Sequence, residues 1–144
     1  MSVMKRLKHR KAHWDRVPPA DESAIQALVE QSGVDLPQDY LAFLRFSNGG
    51  DGHLGVEPGW FQIWPAEEVV EANRDLDLEE ELPGFFGFGG NGGGEMLAFD
   101  MRGPQPWPIV MVPYNPLEAE FAVTIADDFL AFADAIGRKQ ADDD

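Results

Sequence analysis

Cysteine is absent from the 144 residues. That removes disulfides, thiolate metal sites and cysteine nucleophiles together, and it suits a reducing compartment. Long hydrophobic runs are missing too. No apolar stretch approaches the roughly 18 residues that a membrane helix needs, and the basic N-terminus leads into polar residues, not into the apolar core of a signal peptide. The expectation is a cytoplasmic protein with no membrane partner. Positive charge is scarce where it would matter for chemistry: Lys5, Arg6, Lys8, Arg10, Lys11 and Arg16 come first, and from Val17 to Gly137 only Arg45, Arg74 and Arg102 follow. The body therefore offers no lysine for imine chemistry. The whole chain carries a formal net charge of −15, and a body so acidic repels nucleic acid and attracts cationic partners.

What is present is enough for a real core. Hydrophobic residues make up 44% of the chain, with ten Phe among them, and a globule of this size buries roughly 70% of the surface of its unfolded chain. The composition divides the chain into a basic arm at 1–16, one body at 17–138 and an acidic tail at 139–144. The arm lacks a helical apolar stripe, although Trp14 offers an anchor against the body. His9 and His13 are four apart and would share a helix face, but no third ligand lies near them, so no metal site is expected.

Periodicity in the body predicts a helix over Asp21–Gly33, from Ile25, Leu28 and Val29 with a glycine stop, and a second helix after Pro37 carrying Tyr40, Leu41, Phe43, Leu44 and Phe46. A flexible run, Asp51–Gly59, precedes a strand at Trp60–Trp64 and a short helix over Ala66–Asn73, and an acidic loop follows. Phe85–Phe88, Met96–Phe99, Ile109–Val112 and Phe121–Ile125 read as successive strands. Asp127–Arg138 closes the chain with a helix whose apolar face is Phe129, Phe132, Ala133 and Ile136. The order implies an α+β fold: one largely antiparallel sheet of four to six strands packed with N-terminal helices and a C-terminal helix.

Motifs for catalysis are poorly supported. Gly87, Gly89 and Gly92 spell GxGxxG, but the residues after them look like a strand, whereas a dinucleotide site needs a helix N-terminus there. A tight or bulged hairpin connection accounts for the glycines. Glu95 and Asp100 have an odd separation, which puts them on opposite faces of a regular strand. Glu118 and Glu120 share parity but sit by a turn. His53, on a loop, is the only histidine of the body and the sole candidate base for a small hydrolase or transferase. No catalytic residue and no cofactor are assigned. Recognition suits the acidity better: Glu67, Glu71 and Asp75 stack at i, i+4 and i+8 if their helix runs far enough, and Asp77, Glu79, Glu80 and Glu81 extend the same negative region.

The segment Leu36–Gly50, LPQDYLAFLRFSNGG, resembles the signature of SMI1/KNR4 domains, the SUKH superfamily, and FGGNGGGEMLAFD, IVMV and DDFLAFADAI follow in the order expected of that family. Leu36, Pro37, Tyr40, Phe43, Leu44, Asn48 and Gly49 match the first block; Gly92, Gly94, Glu95 and Asp100 match the second. GDGHLGVEPGW departs from the pattern. The resemblance implies a non-enzymatic bacterial immunity protein that binds and neutralises a toxin, often a nuclease and therefore basic; a regulatory scaffold, with Trp60, Phe61 and Trp64 as an aromatic anchor, is the alternative. Glu67, Glu71, Asp75, Glu79, Glu80, Glu95 and Asp100 are the expected partner-binding residues.

Overall fold

The computed structural model describes residues 3–10 and 13–139; all but the first residue of the expected acidic tail lie outside them. The N-terminal segment differs from the arm read in sequence. Val3–His9 is a helix, α1, with Val3 and Leu7 buried. Two apolar residues four apart share one helix face, but among basic neighbours they make too thin a stripe to stand out. Trp14 and Asp15 form a short strand, β1. Trp14 is buried, and its indole nitrogen donates to the Leu7 carbonyl at 3.1 Å. The basic residues tie this segment down. Arg6, Arg10 and the distant Arg138 all pair with Asp134, and the Arg16 guanidinium lies 3.6 Å from the centre of the Phe46 ring.

Two helices follow. In α2, Glu22–Ser32, Ile25 and Leu28 face the core, Val29 is exposed, and Gly33 stops the helix in the left-handed conformation at φ 65°. Helix α3, Gln38–Phe46, starts behind Pro37 and buries Tyr40, Leu41, Phe43 and Leu44. The run expected to be flexible begins with a strand, β2, Gly50–His53. Gly52 is required there, because a Cβ would collide with the Trp14 backbone on the neighbouring strand. Next come β3, Trp60–Ile63, helix α4, Ala66–Asp75, and a single helical turn, α5, Leu78–Glu81. Strands β4, Phe85–Gly90, β5, Glu95–Asp100, β6, Ile109–Pro113, and β7, Val123–Ala126, lead to the last helix, α6, Phe129–Ala135. Asp128 caps α6 by accepting from the Ala131 amide at 2.8 Å.

The fold is α+β. Its sheet has seven strands in chain order, every neighbour antiparallel, slightly more than the sequence suggests because β1 and β2 add an edge. Strands β5 and β6 are continuously apolar because both their faces are covered. Leu97, Phe99, Ile109 and Met111 join the main core with the helical residues Leu28, Tyr40, Phe43 and Phe129. The alternate residues Met96, Ala98, Val110 and Val112 form a second core with Leu78, Leu82 and Phe85.

Strands β3 and β4 pair only at Gln62–Gly90 and Ile63–Gly89. Beyond that point the chain leaves β3 for α4, which would strip β4 of its partner. Asn73 of α4 replaces it: its side-chain oxygen accepts from the Gly87 amide at 2.8 Å and its nitrogen donates to the Gly87 carbonyl at 2.9 Å. One side-chain amide thus does the work of a strand residue, and it fixes α4 against the sheet.

Candidate protein-binding face

Helix α4 extends to Asp75, so Glu67, Glu71 and Asp75 do stack at i, i+4 and i+8, and all three are exposed. Such like-charge neighbours disfavour a helix by roughly 0.2–0.5 kcal/mol per pair. The first turn is compensated. Glu67 accepts from the Asn48 side chain at 2.8 Å, while the same asparagine accepts from the Ala66 amide at 2.8 Å, and carboxylates suit a helix N-terminus. Glu71 and Asp75 have no hydrogen bond or ion pair from their side chains among the described residues.

The acidic loop expected after α4 is instead the turn α5, because Leu78 and Leu82, four apart, are both buried in the second core. Asp77, at φ 53°, makes the sharp entry. Glu79, Glu80 and Glu81 are left pointing to solvent.

Glu95 and Asp100 are not brought into this face. They occupy the two ends of β5, on opposite sides of the sheet. Glu95 accepts from the Asn91 side chain at 3.1 Å and closes the glycine-rich hairpin. Asp100 pairs with Arg102 at 2.9 Å, and these hydrogen bonds hold its carboxyl below the usual carboxylate range. Both side chains serve their own chain. What sequence reasoning missed are Glu68, legible as the neighbour of Glu67, and Tyr114, for which no local signal exists.

Three hollows border α4, one of them between it and α2, lined by Leu28, Glu67 and Arg74. A second, of about 350 Å³, lies on the side of Glu68, Glu71 and Asp75, with Trp64 and Tyr114 in its wall. The third, of about 330 Å³, is lined by Arg74, Asp77 and Glu79 at its polar rim and by Val70, Phe86 and Met101 inside. None of the three contains His53. That imidazole instead packs edge-on against Trp60 at 5.3 Å and His13 at 6.1 Å. His9 lies in α1 and His13 beyond its end, so the two do not share a helix face. No group of three or more potential metal ligands is assembled among the described residues. The glycines at 87, 89 and 92 belong to the β4–β5 hairpin; no helix follows them, and Gly89 lets the Gln62 carbonyl approach where a Cβ would stand. Of the aromatic anchor, Phe61 is fully buried, whereas Trp60 is 40% exposed.

The signature helix, the glycine hairpin and the closing helix are thus placed in one sheet-and-helix framework. A model of the SMI1 / KNR4 family (SUKH-1) matches residues 19–135. The chain belongs to the SMI1/KNR4 family. The SUKH-1 match begins after β1, so α1 and β1 precede the family segment. No curated protein is significantly similar in sequence. No helix among the described residues is long and apolar enough to cross a membrane.

Proposed function

We propose that this SUKH-1 chain is a non-catalytic binding protein of the immunity type, which neutralises a basic toxin domain in the cytoplasm by covering it with the face formed by α4 and α5. The observation that carries this reading is where the carboxylates remain unneutralised. Between Ala66 and Glu81 stand Glu67, Glu68, Glu71, Asp75, Asp77, Glu79, Glu80 and Glu81 against Arg74 alone. Among the described residues only Glu67 of these receives a side-chain hydrogen bond. Elsewhere three acids are ion-paired, Glu22 with Arg45, Asp100 with Arg102 and Asp134 with three arginines, and no other segment of this length holds so many acids against one arginine. An unpaired, one-signed surface raises the capture rate of a cationic partner and disfavours acidic ones.

The test is co-expression with toxin domains encoded beside the chain. Rescue of growth and a co-purifying complex are expected, with Glu79→Lys/Glu80→Lys weakening the complex while leaving the melting temperature unchanged. Absence of rescue and of any complex with each neighbouring toxin would sink the proposal. A second reading, a scaffold for an endogenous protein, is favoured by exposed Trp60 beside His53; tagged purification from the native host lacking the toxin gene would then still retrieve a partner, lost on Trp60→Ala.

A further inference from the structure

Resting on that binding role, we propose that the hollow beside α4 seats an arginine side chain from a basic segment of the protein partner. Glu68, Glu71, Ala72 and Asp75 of α4 line it, with Leu76 at the helix's C-cap. Their spacing of i, i+3, i+4, i+7 and i+8 makes one stripe, apolar at Ala72 and Leu76 and anionic at the other three positions. Trp64 and Tyr114 complete the wall, each half-buried and packed against the second core.

Three features of this hollow match one chemistry. The three carboxylates have no side-chain hydrogen bond or ion pair among the described residues, and neither the Trp64 indole N–H nor the Tyr114 hydroxyl is hydrogen-bonded there. Among the described residues no lysine or arginine lines the hollow; Arg74 lies off the stripe and borders the hollows on the other flank. The floor is apolar and aromatic, so an entering group must tolerate partial dehydration. A guanidinium does all of this. It is planar and weakly hydrated, stacks on aromatic faces, and forks toward carboxylates at its edge. An ammonium is compact and strongly hydrated, and gains less from the rings.

The probes are the peptides acetyl-Gly-Arg-Gly-Arg-Gly-amide, its lysine counterpart and its citrulline counterpart, followed by ¹H–¹⁵N spectra of the tryptophan indoles. The arginine peptide should move the Trp64 indole resonance, the lysine peptide should bind roughly two- to fivefold more weakly, and the neutral citrulline peptide should leave it in place. Trp64 packs against both cores, so the hollow is altered by charge: Glu68→Gln/Glu71→Gln/Asp75→Asn should abolish the shift with no loss of thermal stability. An unmoved Trp64 resonance, an equal response to citrulline, or a shift retained by the triple variant would each overturn the inference. Toxin binding separates the two proposals. A toxin that binds the triple variant as tightly as the parent removes the arginine site and leaves the neutralising role intact; an arginine-specific Trp64 shift without any toxin complex does the reverse.

Discussion

Tyr40 is fully buried, with the rings of Phe88, Phe99 and Phe129 at centroid distances of 5.7, 5.3 and 5.4 Å. Its hydroxyl has no hydrogen-bond partner among the described residues. Burial pushes the phenol's ionisation far above its ordinary range, and an unsatisfied buried polar group costs roughly 1–3 kcal/mol. Tyr40→Phe keeps the ring contacts and removes the orphan oxygen, so denaturant melts should show it about 1 kcal/mol more stable than the parent. Tyr40→Ala should lose about 3–5 kcal/mol, as large aromatic truncations do. The sequence identifies Tyr40 as core from its helical spacing, but whether its oxygen finds a partner depends on three aromatic rings brought from other elements. Asp51 is a second residue whose state is set across the fold. It stands directly opposite Asp15 on β1, and burial, then the Asp15 charge, raise its carboxyl's pKa. A raised folded-state value means that the fold binds the proton more tightly than the unfolded chain does. The associated stabilisation is complete below the ordinary carboxylate range and is lost as pH rises through the raised value. Asp51→Asn should therefore be more stable than the parent at neutral pH, by about 0.2–1 kcal/mol for a like-charged cross-strand pair. Thermal melts at decreasing pH should show that advantage vanish once Asp51 in the parent is protonated.

Among the elements, α4 depends most on a contact invisible to local pattern. Its first turn is legible from Pro65 and the two glutamates that follow, and its apolar side from Val69 and Val70. Its placement comes from Asn73, whose amide supplies β4 with the donor and acceptor that β3 no longer provides. Asn73→Ala leaves the Gly87 amide and carbonyl without those partners in a buried strand, and should cost about 2 kcal/mol in chemical denaturation. Hydrogen exchange at the Gly87 amide should accelerate in the same variant. The other helices of the body divide cleanly by signal. For α2, α3 and α6, caps, proline and glycine coincide with apolar periodicity, and their centres are readable to within a turn. Strands β1 and β2 are not readable, because Trp14 and Asp15 are too few to show alternation, Gly50 reads as the stop of the preceding helix and Gly52 as flexibility. Those glycines are demanded by the close approach of β1, Asp15 at Gly50 and Trp14 at Gly52, a long-range packing fact. The helix α1 is hidden for a related reason: it exists where Val3 and Leu7 can dock near α6, with Arg6 and Arg10 reaching Asp134. Where local propensity is weak, tertiary contacts decide the structure.

For the whole molecule, charge is sorted by element. Arg6, Lys8, Arg10 and Arg16 of the N-terminal segment are drawn onto the body by Asp134 and the Phe46 ring, and the carboxylates of α4 and α5 remain open to solvent. The acidic balance is plain in the composition, but which acids are held by their own chain is set by the fold: Asp134 is paired with Arg6 and Arg10 from the far end of the sequence, and Glu95 and Asp100, in the family-like second block, are engaged by nearby Asn91 and Arg102. That sorting has a kinetic consequence for the proposed partner. Long-range attraction acts mainly before contact, so it raises the association rate and leaves dissociation to the short-range packing of the interface. At 0.15 M salt the Debye length is about 8 Å, and at 1 M about 3 Å, which removes attraction between charges that have not yet met. Stopped-flow binding of a basic toxin domain should accordingly show the association rate falling on the order of tenfold between low and high salt, with the dissociation rate little changed. Glu79→Lys/Glu80→Lys should flatten that salt dependence, because it removes the source of the field and leaves the hollow beside α4 untouched. A salt effect confined to dissociation would mean that the open carboxylates act only after contact, and the α4 and α5 face would then be a rim of the interface instead of the surface that guides the partner in.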